Sequence, residues 1–160
     1  MCQNCLVKTI HHAKHHFGWD NSLSPVLHVA SGSQLEFHCL DAANGWFNAG
    51  STAADIPTLP FDKLNPVSGP VYVEGAQPGD ALKVTLESFR PSGFGWTANI
   101  PGFGLLADQF SDPALTLWQY DRQGLTPCAF GRYGRVPLKP FAGTLGVRSE
   151  ERRVGKECRS

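Results

Sequence analysis

Apolar and polar residues alternate in two stretches that echo each other. Ser31-Gly32-Ser33 leads into Gln34 to Leu40, and Pro78-Gly79-Asp80 leads into Ala81 to Glu87. Each is a tight turn followed by a period of two, the signature of a half-buried strand. In the first, Leu35, Phe37 and Cys39 share a face; in the second, Leu82, Val84 and Leu86 do. Short strands also fit Val26 to Val29, Val71 to Glu74 and Leu115 to Tyr120. Between them run Gly- and Pro-rich connections over 42–70, 90–104 and 121–146. No stretch carries the 3.6-residue period of a long amphipathic helix, although Leu105 to Phe110 has room for one helical turn. Strands separated by turn clusters predict an all-β protein, a β-sandwich or jelly-roll-like fold with long Gly/Pro-rich loops. The 42–70 connection is long for a plain loop and is expected to be a functional or subunit-contact segment.

Composition narrows the class. Among 160 residues, 41% are hydrophobic and 18% charged, enough to bury a core. The 17 glycines and 12 prolines argue against a helical bundle. Lys plus Arg equals Asp plus Glu at 14 each, so no basic stripe is available to neutralise a row of phosphates and nucleic acid is not an expected partner. No apolar run approaches the ~20 residues of a membrane span, and no secretory leader is visible.

The charge is unevenly spread. Eight of the 13 residues from Arg148 to Ser160 are charged, and only Val154 and Cys158 among them suit burial. This segment reads either as a solvated basic C-terminus or as a translated adapter or frameshift sequence fused to a truncated gene. The expected organisation is therefore an arm over 1–14, a domain portion over 15–147 and a foreign tail over 148–160.

Five cysteines (Cys2, Cys5, Cys39, Cys128 and Cys158) form no regular framework, which fits free thiols in a reducing cytoplasm. All six histidines precede residue 40. Cys2 and Cys5 with His11, His12, His15 and His16 have zinc-ligand chemistry, but the spacing is too short for a zinc finger. The alternative is an N-terminal arm that binds metal opportunistically.

Five stretches resemble the acetamidase/formamidase family of amide hydrolases: His16-Phe17-Gly18-Trp19-Asp20-Asn21 with Pro25-Val26-Leu27; Leu40-Asp41-Ala42; Asn65 through Asp80; Gly95-Trp96-Thr97-Ala98-Asn99-Ile100-Pro101-Gly102-Phe103-Gly104-Leu105-Leu106; and Val136 through Val147. They run in family order over about residues 15 to 147. The resemblance implies a hydrolase that converts short linear amides such as formamide and acetamide to carboxylate and ammonia. It implies a cytoplasmic enzyme that is a homo-oligomer at full length. It also implies that this chain is an incomplete, inactive portion, because family members run about twice as far. A non-catalytic β-sandwich binding or scaffold module is the alternative.

Amide hydrolysis needs an activated water, a polarised carbonyl and a proton for the departing nitrogen. A divalent metal, zinc foremost, can supply the first two, with carboxylates and histidines as its ligands. Asp41 is the leading candidate, as base and as metal ligand; a turn-capping Asp before Asn44-Gly45 is the competing role. Glu74, at a strand end before Gly75, is the second catalytic candidate if buried, and an ordinary exposed strand-end residue if not. His16 is the candidate metal ligand beside Asp41. Trp96, Gly102, Phe103 and Gly104 are the candidate substrate-binding wall, the glycines admitting backbone N–H groups to a substrate oxygen; the alternative is a loop whose aromatics plug the end of a sandwich. His28 and His38 fall on polar strand positions and read as surface residues.

Overall fold

A computed structural model describes residues 7–147. Cys2, Cys5, Cys158 and the charged segment from Arg148 onward lie outside the described residues. The described chain is all-β, with ten short strands and two 3₁₀ turns. They are β1 (Lys8–Ile10), β2 (His15–His16), β3 (Leu27–Val29), β4 (Leu35–Phe37), β5 (Val67–Ser68), β6 (Val71–Val73), β7 (Phe94–Asn99), β8 (Ala114–Gln119), β9 (Cys128–Phe130) and β10 (Gly134–Val136). They pair as five two-stranded ladders. The backbone divides into two compact units.

The first unit holds described residues 7–40, 66–84 and 144–147. β1 runs parallel to β4 with Ile10 opposite Phe37. β3 runs parallel to β6 with His28 opposite Tyr72. β2 and β5 form a short antiparallel pair. Ile10 and Val29 are the buried apolar residues of this unit. Leu35, Phe37 and Cys39 do not line a buried face as the alternation predicts. Leu35 is only half-buried, Phe37 and Cys39 are exposed, and among the described residues β4 has a single ladder neighbour. The turn before Ala81 forms as expected, with Asp80 N–H donating to Gln77 O at 3.0 Å. The strand after it does not, because no strand among the described residues pairs with 81–87. A period of two describes a strand that has a partner, and supplies none itself.

The second unit holds residues 41–65 and 85–143. Its spine is the β7–β8 ladder, antiparallel from Phe94 opposite Gln119 to Asn99 opposite Ala114. The Gly/Pro content around β7 reads as a loop over 90–104, yet Phe94, Trp96 and Ala98 alternate on one face. Gly95 on the other face lies across from Trp118, whose indole N–H donates to Thr97 Oγ1 at 2.9 Å. β9 and β10 form a hairpin inside the expected 121–146 loop, closed by Tyr133 N–H donating to Phe130 O at 2.9 Å. Leu105 to Phe110 turns as the sequence suggests, with Phe110 N–H donating to Leu106 O at 3.1 Å.

The main core of this unit comes from the connection after Asp41. Ala43, Phe47, Ile56 and Leu59 are buried together, and Trp96, Ala98, Ile100 and Leu115 from the ladder region pack against them. The 3₁₀ turn Ala53–Thr58 seats Ile56. Thr52 caps it by accepting from Ala54 N–H, while Asp55 reaches back to accept Thr52 N–H at 2.7 Å. That reciprocal cap satisfies donors left open at a helical start. Asn65 N–H donates to Ala42 O at 2.8 Å and brings the end of the connection back beside its beginning.

Candidate functional site

Asp41 opens the tight turn that leads into this core. Its carbonyl accepts Asn44 N–H at 2.9 Å, and Asn44 and Gly45 both take positive φ, 56° and 74°. Asn and Gly are the residues that enter this backbone region most readily. The Asp41 side chain closes the turn twice over. Oδ1 accepts Ala43 N–H at 2.7 Å, and Oδ2 accepts Gly45 N–H at 3.2 Å. Burial of Ala43 and Phe47 fixes the loop from its other end. Asp41 therefore has the turn-capping role in full.

It also has a partner far along the chain. The Trp96 indole N–H donates to Asp41 Oδ1 at 3.2 Å, and the Trp96 ring packs on Phe47 with centroids 4.8 Å apart. Asp41 and Trp96, candidates chosen separately from the sequence, thus meet within the second unit. A carboxylate oxygen has two lone-pair sites. Among the described residues, Ala43 and Trp96 donate to Oδ1 and Gly45 alone donates to Oδ2. Three donors hold an exposed carboxylate in one orientation.

The remaining candidates are placed differently. Phe103 is exposed and meets Phe61 edge-on, ring centroids 5.9 Å apart. Gly102 and Gly104 have φ of 76° and 104°, and an added Cβ at either would meet nothing within 4 Å. Backbone conformation accounts for glycine there; a crowded approach does not. In the first unit the Glu74 side chain is 57% exposed, so the buried-carboxylate expectation gives way to the exposed strand-end one. Glu74 sits 3.1 Å from His28 Nδ1, and the His28 ring packs on Tyr72. His28 and His38 are surface residues, as their strand parity predicts. His16, in β2, is half-buried, with Nδ1 2.8 Å from Gly18 O.

His16 belongs to the first unit and Asp41 to the second. Among the described residues, no group of three or more His, Cys, Asp or Glu side chains converges to hold a metal ion. The donor set present does not by itself fit a resident zinc, which takes three or four protein ligands.

The hydrophobic pattern does not single out Ala43 and Phe47, which anchor the Asp41 turn. A signal was present: Asn44-Gly45 is a turn dipeptide, and flanking apolar residues are what a turn seated on a core requires.

Comparison with known proteins adds the family context. The family model described as "Acetamidase/Formamidase family" matches residues 6–154. A formamidase from Methylophilus methylotrophus is 29% identical over 111 residues, covering 66% of this chain and 27% of that protein. An acetamidase from Mycolicibacterium smegmatis is 27% identical over 124 residues, covering 69% and 30%. The crystal structure of a predicted acetamidase/formamidase from Thermoanaerobacter tengcongensis superposes with a TM-score of 0.73 at 23% identity, covering 84% of this chain and 43% of that one. The Bacillus halodurans acetamidase structure gives 0.64 at 23% identity, covering 81% and 42%. The chain thus spans less than a third of these curated relatives and less than half of these solved structures.

Proposed function

Because the chain belongs to the acetamidase/formamidase family, we propose that it serves the hydrolysis of short linear amides, formamide and acetamide foremost, to carboxylate and ammonia. The observation that carries the proposal is the meeting of Asp41 and Trp96 inside the region matched by that family. In this reading Asp41 Oδ2 takes a proton from water as the water oxygen attacks the amide carbonyl carbon. The C–N bond breaks as that proton reaches the nitrogen, and ammonia leaves. A positioned carboxylate base contributes about 10²–10⁴-fold to such a step. Trp96 acts through Asp41 as a positioning residue, by holding Oδ1. Phe103, Gly102 and Gly104 are proposed to meet the small substrate.

We further propose that a divalent metal, zinc foremost, assists the reaction of the full-length protein, held by ligands that the described residues do not supply. No step above runs through it. The 160-residue chain alone is proposed to be inactive; its short coverage of the relatives supports this. A cytoplasmic location is proposed from the free thiols of Cys39 and Cys128. No helix among the described residues is long and apolar enough to cross a membrane.

The test is a chimera in which residues 15–147 replace the matched portion of the Thermoanaerobacter tengcongensis protein. Ammonia release from formamide or acetamide, lost in Asp41→Ala, supports the proposal. A folded chimera without turnover on either amide, or one indifferent to Asp41→Ala, contradicts it. Metal analysis and chelation of the same chimera check the zinc proposal: full activity with no bound metal removes it.

A further inference from the structure

Residues 100–113 join β7 to β8 and carry Gly102, Phe103 and Gly104. The ladder closes beneath them with Asn99 opposite Ala114. Pro113 has no N–H with which to carry the ladder further. Among the described residues, the backbone hydrogen bonds of the connection are local. Phe103 N–H donates to Ile100 O at 3.0 Å, and Gln109 and Phe110 N–H donate to Leu106 O at 3.0 and 3.1 Å. The start of the connection is seated by Ile100, which packs on the buried core, and by Phe103 against Phe61. Its end is tied down by the side chain of Asn99. Nδ2 donates to Phe110 O at 3.1 Å and to Asp112 O at 2.6 Å. An amide nitrogen has two hydrogens, and two carbonyls take both. Asn99 shares strand parity with Gly95 and Thr97, whereas Trp96 and Ala98 have the opposite parity. It therefore holds the connection from the face of β7 opposite to Trp96, the residue that bonds Asp41.

We propose that Asn99 is a positioning residue that sets the size of acyl group the site accepts, by clamping the end of 100–113 to the ladder. The assignment rests on the amide-hydrolysis reading, in which Gly102, Phe103 and Gly104 meet the substrate. A loop fixed at both ends samples fewer arrangements than one fixed at its start alone. The second anchor thus restricts where the Phe103 ring and the N–H groups of Gly102 and Gly104 lie. Acetamide and butyramide differ only in hydrocarbon, so a wall held in place is what separates them. Asn99 touches neither Asp41 nor the reacting atoms in this arrangement. Its loss should therefore alter substrate fit and leave proton transfer alone.

Amide hydrogen exchange of the 160-residue chain, with steady-state kinetics of the chimera, tests this. Asn99→Asp keeps the shape of the side chain and removes both N–H donors; Asn99→Ala removes the group entirely. Each is expected to speed exchange at Gln109 and Phe110 roughly tenfold while the β7–β8 ladder is unchanged. In the chimera each is expected to raise KM for acetamide about tenfold, leave kcat within about threefold, and narrow the preference for acetamide over butyramide about tenfold. Thr97→Val, on the same face of β7, removes the acceptor of the Trp118 N–H and is the structural control. It should move neither exchange over 100–113 nor KM. Unchanged exchange at Gln109 and Phe110 in both Asn99 variants overturns the proposal. So does an active chimera whose KM and acyl preference ignore Asn99, a loss confined to kcat, or an equal rise of KM in Thr97→Val. A wild-type chimera without turnover on any amide contradicts the amide-hydrolysis reading itself, and the acyl-size assignment falls with it.

Discussion

Two segments show how differently the same chain uses apolar residues. Residues 81–87 have the cleanest strand pattern, yet lie exposed and outside every described ladder. The Asp41 to Leu64 connection has no period at all, yet it contributes Ala43, Phe47, Ile56 and Leu59 to the main core of its unit. Periodicity reports which face a segment would bury if a neighbour were present. Burial itself depends on turns and caps that bring irregular chain back onto itself. Here the Asp41 turn, the Thr52–Asp55 cap and the Asn65 to Ala42 hydrogen bond do that work.

Substitutions along the two segments should separate them sharply. Phe47→Ala removes a buried ring that packs on Trp96 and should lower unfolding free energy by about 3–5 kcal/mol in urea titration. A loss below ~1 kcal/mol would place the core elsewhere. Asp41→Ala strips acceptors from three N–H groups and should cost about 1–3 kcal/mol by the same measurement. Trp96→Phe keeps a ring on Phe47 but deletes the donor to Asp41 Oδ1, with an expected loss of about 0.5–1.5 kcal/mol. At the other extreme, Leu82→Ser and Leu86→Ser in dilute monomeric protein should stay within about 0.5 kcal/mol of wild type. A large destabilisation there would mean that 81–87 is covered within its own chain, and the contrast would fail.

Much of the fold was legible. β3, β4, β6 and β8 appear within a few residues of their predicted positions, because each pairs β-branched or aromatic residues with a nearby turn. β7 and the β9–β10 hairpin were hidden by their glycines. Gly95 interrupts an otherwise alternating run, and Gly131 and Gly134 bracket the hairpin loop, so both stretches read as coil. The site was half legible. Asp41 and Trp96 stand 55 positions apart and meet through a tertiary hydrogen bond, which no local spacing encodes. Glu74 shows the converse: strand parity placed it beside Tyr72 correctly, but parity alone does not say whether a face is covered. His28 became its partner through the parallel β3–β6 register, which short-range pattern does not fix.

In the proposed reaction the Asp41 carboxylate, held by its turn and by Trp96, takes the proton from the attacking water. Asp41→Asn in the active chimera isolates that step, because the amide oxygen can still accept from Ala43 and Trp96, only the 3.2 Å bond to Gly45 is lost, and the charge and basicity are gone. Steady-state ammonia release should fall by about 10²-fold or more with the melting temperature little changed. Near-wild-type turnover by a folded Asp41→Asn chimera would show that the proton goes to some other group.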